Sequence, residues 1–463
     1  MKKIFYTAAF AGLLLTAGCQ NYLDVTPPSN LVEDSYFATT GEVETGVINI
    51  YSTLQDIPAA EIQLSELRSD NMAPNNFEGD WANIENFTET PSSEFVTTFW
   101  RNSYYAIGRA NLVLKYLNNV TDADKKARFE GEARFARALM LFNLVRLYGD
   151  VPLPLSTVLN SDTDVLRRRP VADVYAQILL DLQAAEGLLP VTWEATGTGR
   201  ATKGAARALL AKVQVTRGDY AAAKTTLETL LAAGTYQLLP SYATVFAPGN
   251  ELNREIIFAI RYKTASNGEG QGFSYDFSKD GATRGLKGLT DLQALFVTAD
   301  AERRNTSLTG TGATAYVNKF PDAANTGARR DAGTDWIVLR YGEVQLLYAE
   351  VLNQLNGPTA AALVSLNAIR KRAGVPEYTL ATLGTKASFQ AALETERRLE
   401  LAFENYRWYD LLRWNKAIEA MTAHFKAVGR PNVTVPAFRL LYPVPQREID
   451  VSKGVITQNP GYN

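Results

Sequence analysis

Apolar residues recur every three or four positions through several separate blocks of the chain, the spacing of a helix that buries one face. In residues 123–148 the stripe runs through Ala133, Ala136, Ala138, Leu141, Leu144 and Val145. Gly149-Asp150 then stops the pattern, and Pro152 and Pro154 extend the chain beyond it. Residues 99–117 and 171–189 read as two further helices. Residues 201–231 read as a helical hairpin. Ala205, Ala208, Leu209 and Val213 line its first arm, Gly218-Asp219-Tyr220 turns the chain, and Ala223, Leu227 and Leu230 line the second. Small side chains let the arms approach closely, and the glycine frees the turn. A fainter copy runs through residues 344–371 around Gly357-Pro358. Helix pairs built on one stacking rule predict a mainly α superhelix of about four hairpins, with an ordinary helical bundle as the alternative. Two stretches break the pattern: residues 57–95 are polar, and residues 262–335 are rich in Gly, Thr, Asn and Asp. Loops of such length are uncommon in a compact domain unless they carry function, so the ligand surface is expected there.

The first residues change the picture of where the chain works. Met1-Lys2-Lys3 precedes an apolar run over residues 4–15, and Thr16-Ala17-Gly18 leads to Cys19, the sole cysteine of 463 residues. The run is too short for a membrane span, which needs about 20 apolar residues. The pattern is that of a bacterial lipoprotein leader, with residues 1–18 removed and lipid attached to Cys19. Thr16 stands where that motif prefers leucine, and the alternative is a plain secretory leader followed by a chance cysteine. Pro27 and Pro28 predict an extended strap, and residues 19–463 are expected to form a single body.

Composition removes several kinds of chemistry. The chain is 46% hydrophobic and 21% charged, enough for a large core. Loss of Lys2 and Lys3 with the leader takes the formal net charge from −2 to about −4, which argues against nucleic acid as a partner. One histidine, His424, and one cysteine exclude a soft-ligand metal set, and His424 is expected to be solvated or capping. No cofactor is expected. A structural calcium ion on loop aspartates is left open, although no Asp-rich twelve-residue loop is present. Gly268-Glu269-Gly270-Gln271-Gly272 lacks the lysine of a phosphate loop and reads as a surface loop.

Four segments carry a more specific resemblance. They are residues 19–27, from Cys19 to Pro27; residues 132–153, which include Glu132, Arg134, Arg137 and Tyr148-Gly149-Asp150-Val151-Pro152; residues 396–414, from Glu396 through Glu400, Glu404 and Asp410 to Trp414; and residues 442–450, closing with Gln458-Asn459-Pro460-Gly461-Tyr462. Taken in order, they resemble the SusD/RagB family of outer-membrane nutrient-uptake lipoproteins of Bacteroidetes. The hairpin at residues 201–231 is similar to a tetratricopeptide unit. The resemblance implies a SusD-like fold, an α/α superhelix with tetratricopeptide-like hairpins and long irregular ligand-binding loops. It also implies a cell-surface role in which the protein captures a glycan, or in some members a peptide, for a SusC-like TonB-dependent outer-membrane transporter.

The charged residues of the third segment fall three or four apart, so their predicted role is pairing along a helix and across to its neighbours. Glycoside hydrolysis by two of these acids is an alternative, but an arginine beside each acid holds it ionised, whereas a general acid needs a raised pKa. A pure protein-binding scaffold is the other alternative. Sugars present apolar C–H faces to aromatic rings and hydroxyls to planar polar groups. Asp70, Asn71, Asn75 and Trp81 have that composition in the first polar region. Phe273, Tyr275 and Phe277 alternate in the second, which places all three on one face if the segment is extended.

Overall fold

The computed structural model describes residues 36–75, 77–158, 163–194, 197–264, 268–278, 286–322 and 331–462. The predicted leader, Cys19 and the strap after it lie outside the described residues.

Helices dominate. They are α1 (Thr40–Leu54), α2 (Glu94–Lys115), α3 (Ala123–Tyr148), α4 (Val171–Leu188), α5 (Lys203–Arg217), α6 (Tyr220–Ala232), α7 (Tyr341–Asn356), α8 (Ala360–Arg372) and α9 (Lys386–Glu400), followed by α10 (Arg407–Arg413) and α11 (Ala417–Ala427). From α1 to α9 each helix packs on the next, and α7 also packs on α9, an arrangement consistent with a solenoid. The stripe predicted for α3 understates its burial. From Ala133 to Tyr148 it is enclosed on nearly every side, with Arg137 and Asn143 buried among its apolar residues.

Two helix pairs, α5 with α6 and α7 with α8, pack across glycine turns. In the first, the Thr202 hydroxyl accepts the Ala205 N–H at 3.1 Å to start α5. Gly218 ends it in the left-handed region at φ 77°, which disfavours a side chain. Ala205, Ala208 and Leu209 of α5 and Ala223, Leu227 and Leu230 of α6 are buried. In the second hairpin, Gly357 at φ 74° ends α7, and the Thr359 hydroxyl caps α8.

The two polar regions are more structured than irregular loops. They contain the short helices Ile57–Leu64, Gly79–Glu85, Phe273–Phe277, Thr290–Leu295 and Ala301–Ser307. The strands are β1 (Met72–Pro74), β2 (Val151–Pro152), β3 (Arg168–Arg169), β4 (Ile256–Ile260), β5 (Leu286–Gly288), β6 (Leu308–Thr309), β7 (Tyr316–Val317) and β8 (Trp336–Arg340). An antiparallel sheet of order β1-β5-β7-β6 sets Met72 opposite Gly288 and so joins the first polar region to the second. Strands β4 and β8 pair separately, as do β2 and β3.

The motif residues hold these elements together. Glu132 on α3 pairs with Arg200 at 2.6 Å and accepts the Tyr51 hydroxyl at 2.6 Å. Arg137 forks onto Asp181 of α4 at 2.7 and 2.8 Å, and Arg134 reaches the same aspartate at 3.0 Å. The Asn459 amide of the tail donates to the carbonyls of Tyr148 and Tyr442, and the Tyr462 hydroxyl donates to Glu89, which also grips the buried Arg68 at 2.6 Å.

The segment from Glu396 to Trp414 is not one helix. It breaks at Glu400, passes through Phe403 and Asn405 at φ 66° and 63°, and restarts as α10. The Glu66 carboxylate accepts the N–H groups of both Phe403 and Asn405, at 2.7 and 3.1 Å, which compensates the strained backbone. Most pairs therefore run between elements rather than along a helix. Arg340 contacts Glu255, Glu400 and Glu404 at 3.1, 2.6 and 2.7 Å. Arg303 contacts Asp300, Glu396 and Glu400, and Arg397 pairs with Asp410 at 2.8 Å. Only Arg413 with Asp410 keeps the local spacing within this segment, at 2.9 Å. His424 is also corrected: it is buried on α11, with Nδ1 3.6 Å from an Asp291 carboxylate oxygen, rather than solvated.

Candidate functional site

The two polar regions meet in a groove of about 430 Å³. Its walls are the end of α1, the short helix Ile57–Leu64 and the first half of α2, and its far side is Tyr262 with residues 268–276. Thr98, Arg101 and Asn102 stand three and four residues apart on α2 and share one face. The Asn102 amide donates to the Asp56 carbonyl at 3.2 Å, tying α2 to the turn after α1. The Gln55 amide donates to the Arg261 carbonyl at 2.8 Å, and the Tyr262 hydroxyl donates to the Gln55 carbonyl at 2.6 Å, so the opposite wall is held as well. Gly268, Gly270 and Gly272 line the groove without side chains to fill it. Between them the Gln271 N–H pairs with the Ala332 carbonyl at 2.9 Å, which fixes the glycine-rich stretch to the body.

Within this fixed frame several polar groups remain unmet. The Asp56 carboxylate and the Gln63 amide make no hydrogen bond to a described residue. The Arg101 guanidinium reaches only Thr98 Oγ1 and Asn102 Oδ1, each at 3.5 Å, and no carboxylate of a described residue pairs with it. An acceptor, an amide and a five-donor fork thus face one cleft, a set suited to a hydroxyl-rich ligand. Tyr105, 60% exposed, stands one turn beyond Arg101 on the same side of α2 and offers a ring at the margin.

The predicted contact residues are placed differently. Asp70 is buried and gripped by Arg407 at 2.7 and 2.8 Å and by Arg398 at 3.3 Å. Burial pushes its carboxyl up, but the two guanidinium groups outweigh burial and hold it well below the usual carboxylate range. Asn71 is buried too, donating to Glu66 and accepting from Arg398, both at 2.9 Å. Asn75 is exposed just past β1, and Trp81 is half-buried, edge-on to Phe95 at 4.9 Å. The extended segment expected at Phe273, Tyr275 and Phe277 is a short helix. At about 100° per residue, helical geometry brings Phe273 and Phe277 together and turns Tyr275 away. Phe273 and Phe277, 2% and 1% exposed, pack with Phe320 in an aromatic core that also takes in Trp336. Of the three, Phe273 alone lines the groove, as part of its floor.

Asp56, Gln63, Arg101 and Asn102 did not stand out in the sequence. A signal was present: Arg101 lies on a predicted helix with no acid three or four residues away, unlike Arg134, which has Glu130.

The acids weighed for hydrolysis are held in the opposite state from a general acid. Burial raises the Glu400 carboxyl, but Arg372, Arg340 and Arg303 around it hold it well below the usual range. Arg340 and Lys319 lower Glu404 in the same way. Among the described residues, no group of three or more His, Cys, Asp or Glu is placed to hold a metal ion, and no helix is long and apolar enough to cross a membrane.

The model of the SusD family matches residues 290–462, and a second model, described as starch-binding associating with outer membrane, matches residues 21–215. A curated relative, SusD-like protein P2 of Formosa agariphila, is 27% identical with 100% of both chains covered. The chain belongs to the SusD family. Solved SusD-like structures share the fold. A SusD homolog from Bacteroides thetaiotaomicron superposes with a TM-score of 0.82 at 23% identity, covering 93% of this chain and 98% of that one. Surface glycan-binding protein A from the same organism, in complex with laminarihexaose, gives 0.76 at 20% identity, covering 91% and 99%.

Proposed function

We propose that this SusD-family chain is a non-catalytic surface lipoprotein of the outer membrane, anchored through Cys19, with residues 19–463 as one body. It captures a glycan in the groove of Asp56, Gln63, Arg101 and Asn102 and passes it to a SusC-like TonB-dependent transporter. The observation that carries this reading is the unpaired Arg101 guanidinium, facing a rigid cleft beside an unpaired carboxylate and amide. A ligand that enters the cleft displaces the water on these groups, and a sugar's hydroxyls supply both donors and acceptors in its place. A relative of the same fold is named for glycan binding and seen with laminarihexaose, which supports the ligand class. Exposed Asn75 and half-buried Trp81 and Tyr275 are proposed as further contacts of a longer ligand, whereas Asp70, Asn71 and Phe277 serve the scaffold.

The groove is open and its rings are few, so a dissociation constant of roughly micromolar to millimolar is expected for a short oligosaccharide. The test is a glycan and peptide array read by direct binding, with affinity isolation of the native protein from membranes. Glycan binding and co-isolation of a large outer-membrane transporter are expected. Binding confined to peptides would overturn the ligand class, and isolation without a transporter would overturn the delivery role.

A further inference from the structure

A second and larger groove, of about 880 Å³, lies between residues 77–88 and residues 430–439 and shares no lining residue with the first. Phe77 on one wall and Phe438 on the other are 44% and 36% exposed, so each wall presents open ring surface to the groove. A guanidinium covers part of each. Arg430 lies 5.0 Å from the Phe77 centroid and Arg439 5.1 Å from that of Phe438, so each ring is oriented by the protein and keeps open surface.

These two cations are not free to attract an anion. Arg430 pairs with Glu85 at 2.7 Å and also donates to the Asn86 side-chain oxygen, while Arg439 donates to the Glu89 carbonyl at 2.8 Å and lies 3.5 Å from its carboxylate. What remains unmet is neutral. The side chains of Asn432 and Thr434 make no hydrogen bond to a described residue, and the Asn86 amide nitrogen donates to none. Exposed rings, neutral amides and a hydroxyl with no spare charge fit an uncharged hexose chain, whose apolar faces stack while its hydroxyls bond at the edges. An extended peptide fits less well, because Pro431 and Pro436 remove N–H donors from the wall that would have to pair with its backbone.

We propose that this groove is a second carbohydrate subsite, specific for neutral glycan segments, in which Phe77 and Phe438 stack on the sugar and Asn86, Asn432 and Thr434 bond its hydroxyls. The proposal rests on the glycan-binding reading above. It adds that one polymer is held at two places, so polymer affinity exceeds that of a short oligosaccharide without any stronger single contact.

The test uses the full chain with laminarihexaose and a panel of neutral polysaccharides including laminarin. The Phe77→Ala/Phe438→Ala variant is expected to bind the best polymer about 10-fold or more weakly; because Phe438 also packs edge-on against Tyr462 at 5.1 Å, Phe77→Ala alone serves as the arm that keeps the wild-type melting temperature and still binds polymer more weakly. Arg101→Ala, which alters only the first groove, should leave the second occupied. In wild type and in Arg101→Ala, hydrogen exchange across residues 430–436 is expected to slow when polymer is added. Wild-type polymer affinity in the double variant, or exchange at 430–436 indifferent to polymer, overturns the subsite and leaves the first groove standing. Slowing by a peptide and by no polysaccharide overturns the carbohydrate assignment. If no polysaccharide binds the wild-type chain anywhere, the underlying function falls and the subsite with it.

Discussion

Arg340 in the buried network touches three carboxylates within 3.1 Å, whereas Arg101 in the groove pairs with none among the described residues. Both are arginines on regular elements with amides and acids nearby, so residue type does not separate scaffold from site. Pairing does. Charges removed from water are costly unless partnered, and the fold surrounds Arg340 with Glu255, Glu400 and Glu404 while Lys319 completes Glu404 at 2.5 Å. At a cleft open to water an unpartnered fork costs little, and its hydrogen bonds are reserved for whatever enters.

The sharpest way to break this comparison is to remove each arginine in turn. Arg340→Met leaves three acids crowded and short of a partner, and a loss of about 3–5 kcal/mol in unfolding free energy is expected, read by denaturant titration. Retained stability would show that the network is not what holds this part of the body. A second effect comes from pH. Burial pushes the Glu66 carboxyl up to about 7 against the three donors that pull it down. Folded Glu66 then keeps its proton to about pH 7, while unfolded Glu66 releases it near 4.5. Between those values the folded state binds more protons, so this group's contribution to stability falls as pH rises. The stability of the wild type relative to Glu66→Gln should therefore decline across that interval, and a flat or rising difference would contradict the assignment. Gly218→Val tests the scaffold more gently. At φ 77° a branched side chain should cost about 1 kcal/mol or more, seen as a lower melting temperature with binding intact.

The scaffold was far more legible in the sequence than the site. Ala123 to Tyr148 and the turns at Gly218 and Gly357 follow from periodicity and backbone freedom, which act over a few residues. The pairing of β1 with β5 joins residues more than two hundred positions apart and leaves no local trace, so the polar regions read as loops. Phe273, Tyr275 and Phe277 misled because an alternating pattern and a one-turn helix look alike over five residues. Asp70 and Asn71 misled because their polar partners, Arg407, Arg398 and Glu66, come from other parts of the chain. Arg101 was hidden by its place on a well-predicted helix, where a polar residue reads as solvated.

The most direct test of the account is calorimetry of the best array ligand, as a short oligosaccharide, against wild type and Arg101→Ala. Because Arg101 makes no ion pair with a described residue, its removal should change stability by less than about 0.5 kcal/mol while weakening the oligosaccharide about 10-fold or more. Full affinity in the variant at unchanged stability would contradict the claim that unpaired polarity in this groove marks the binding site.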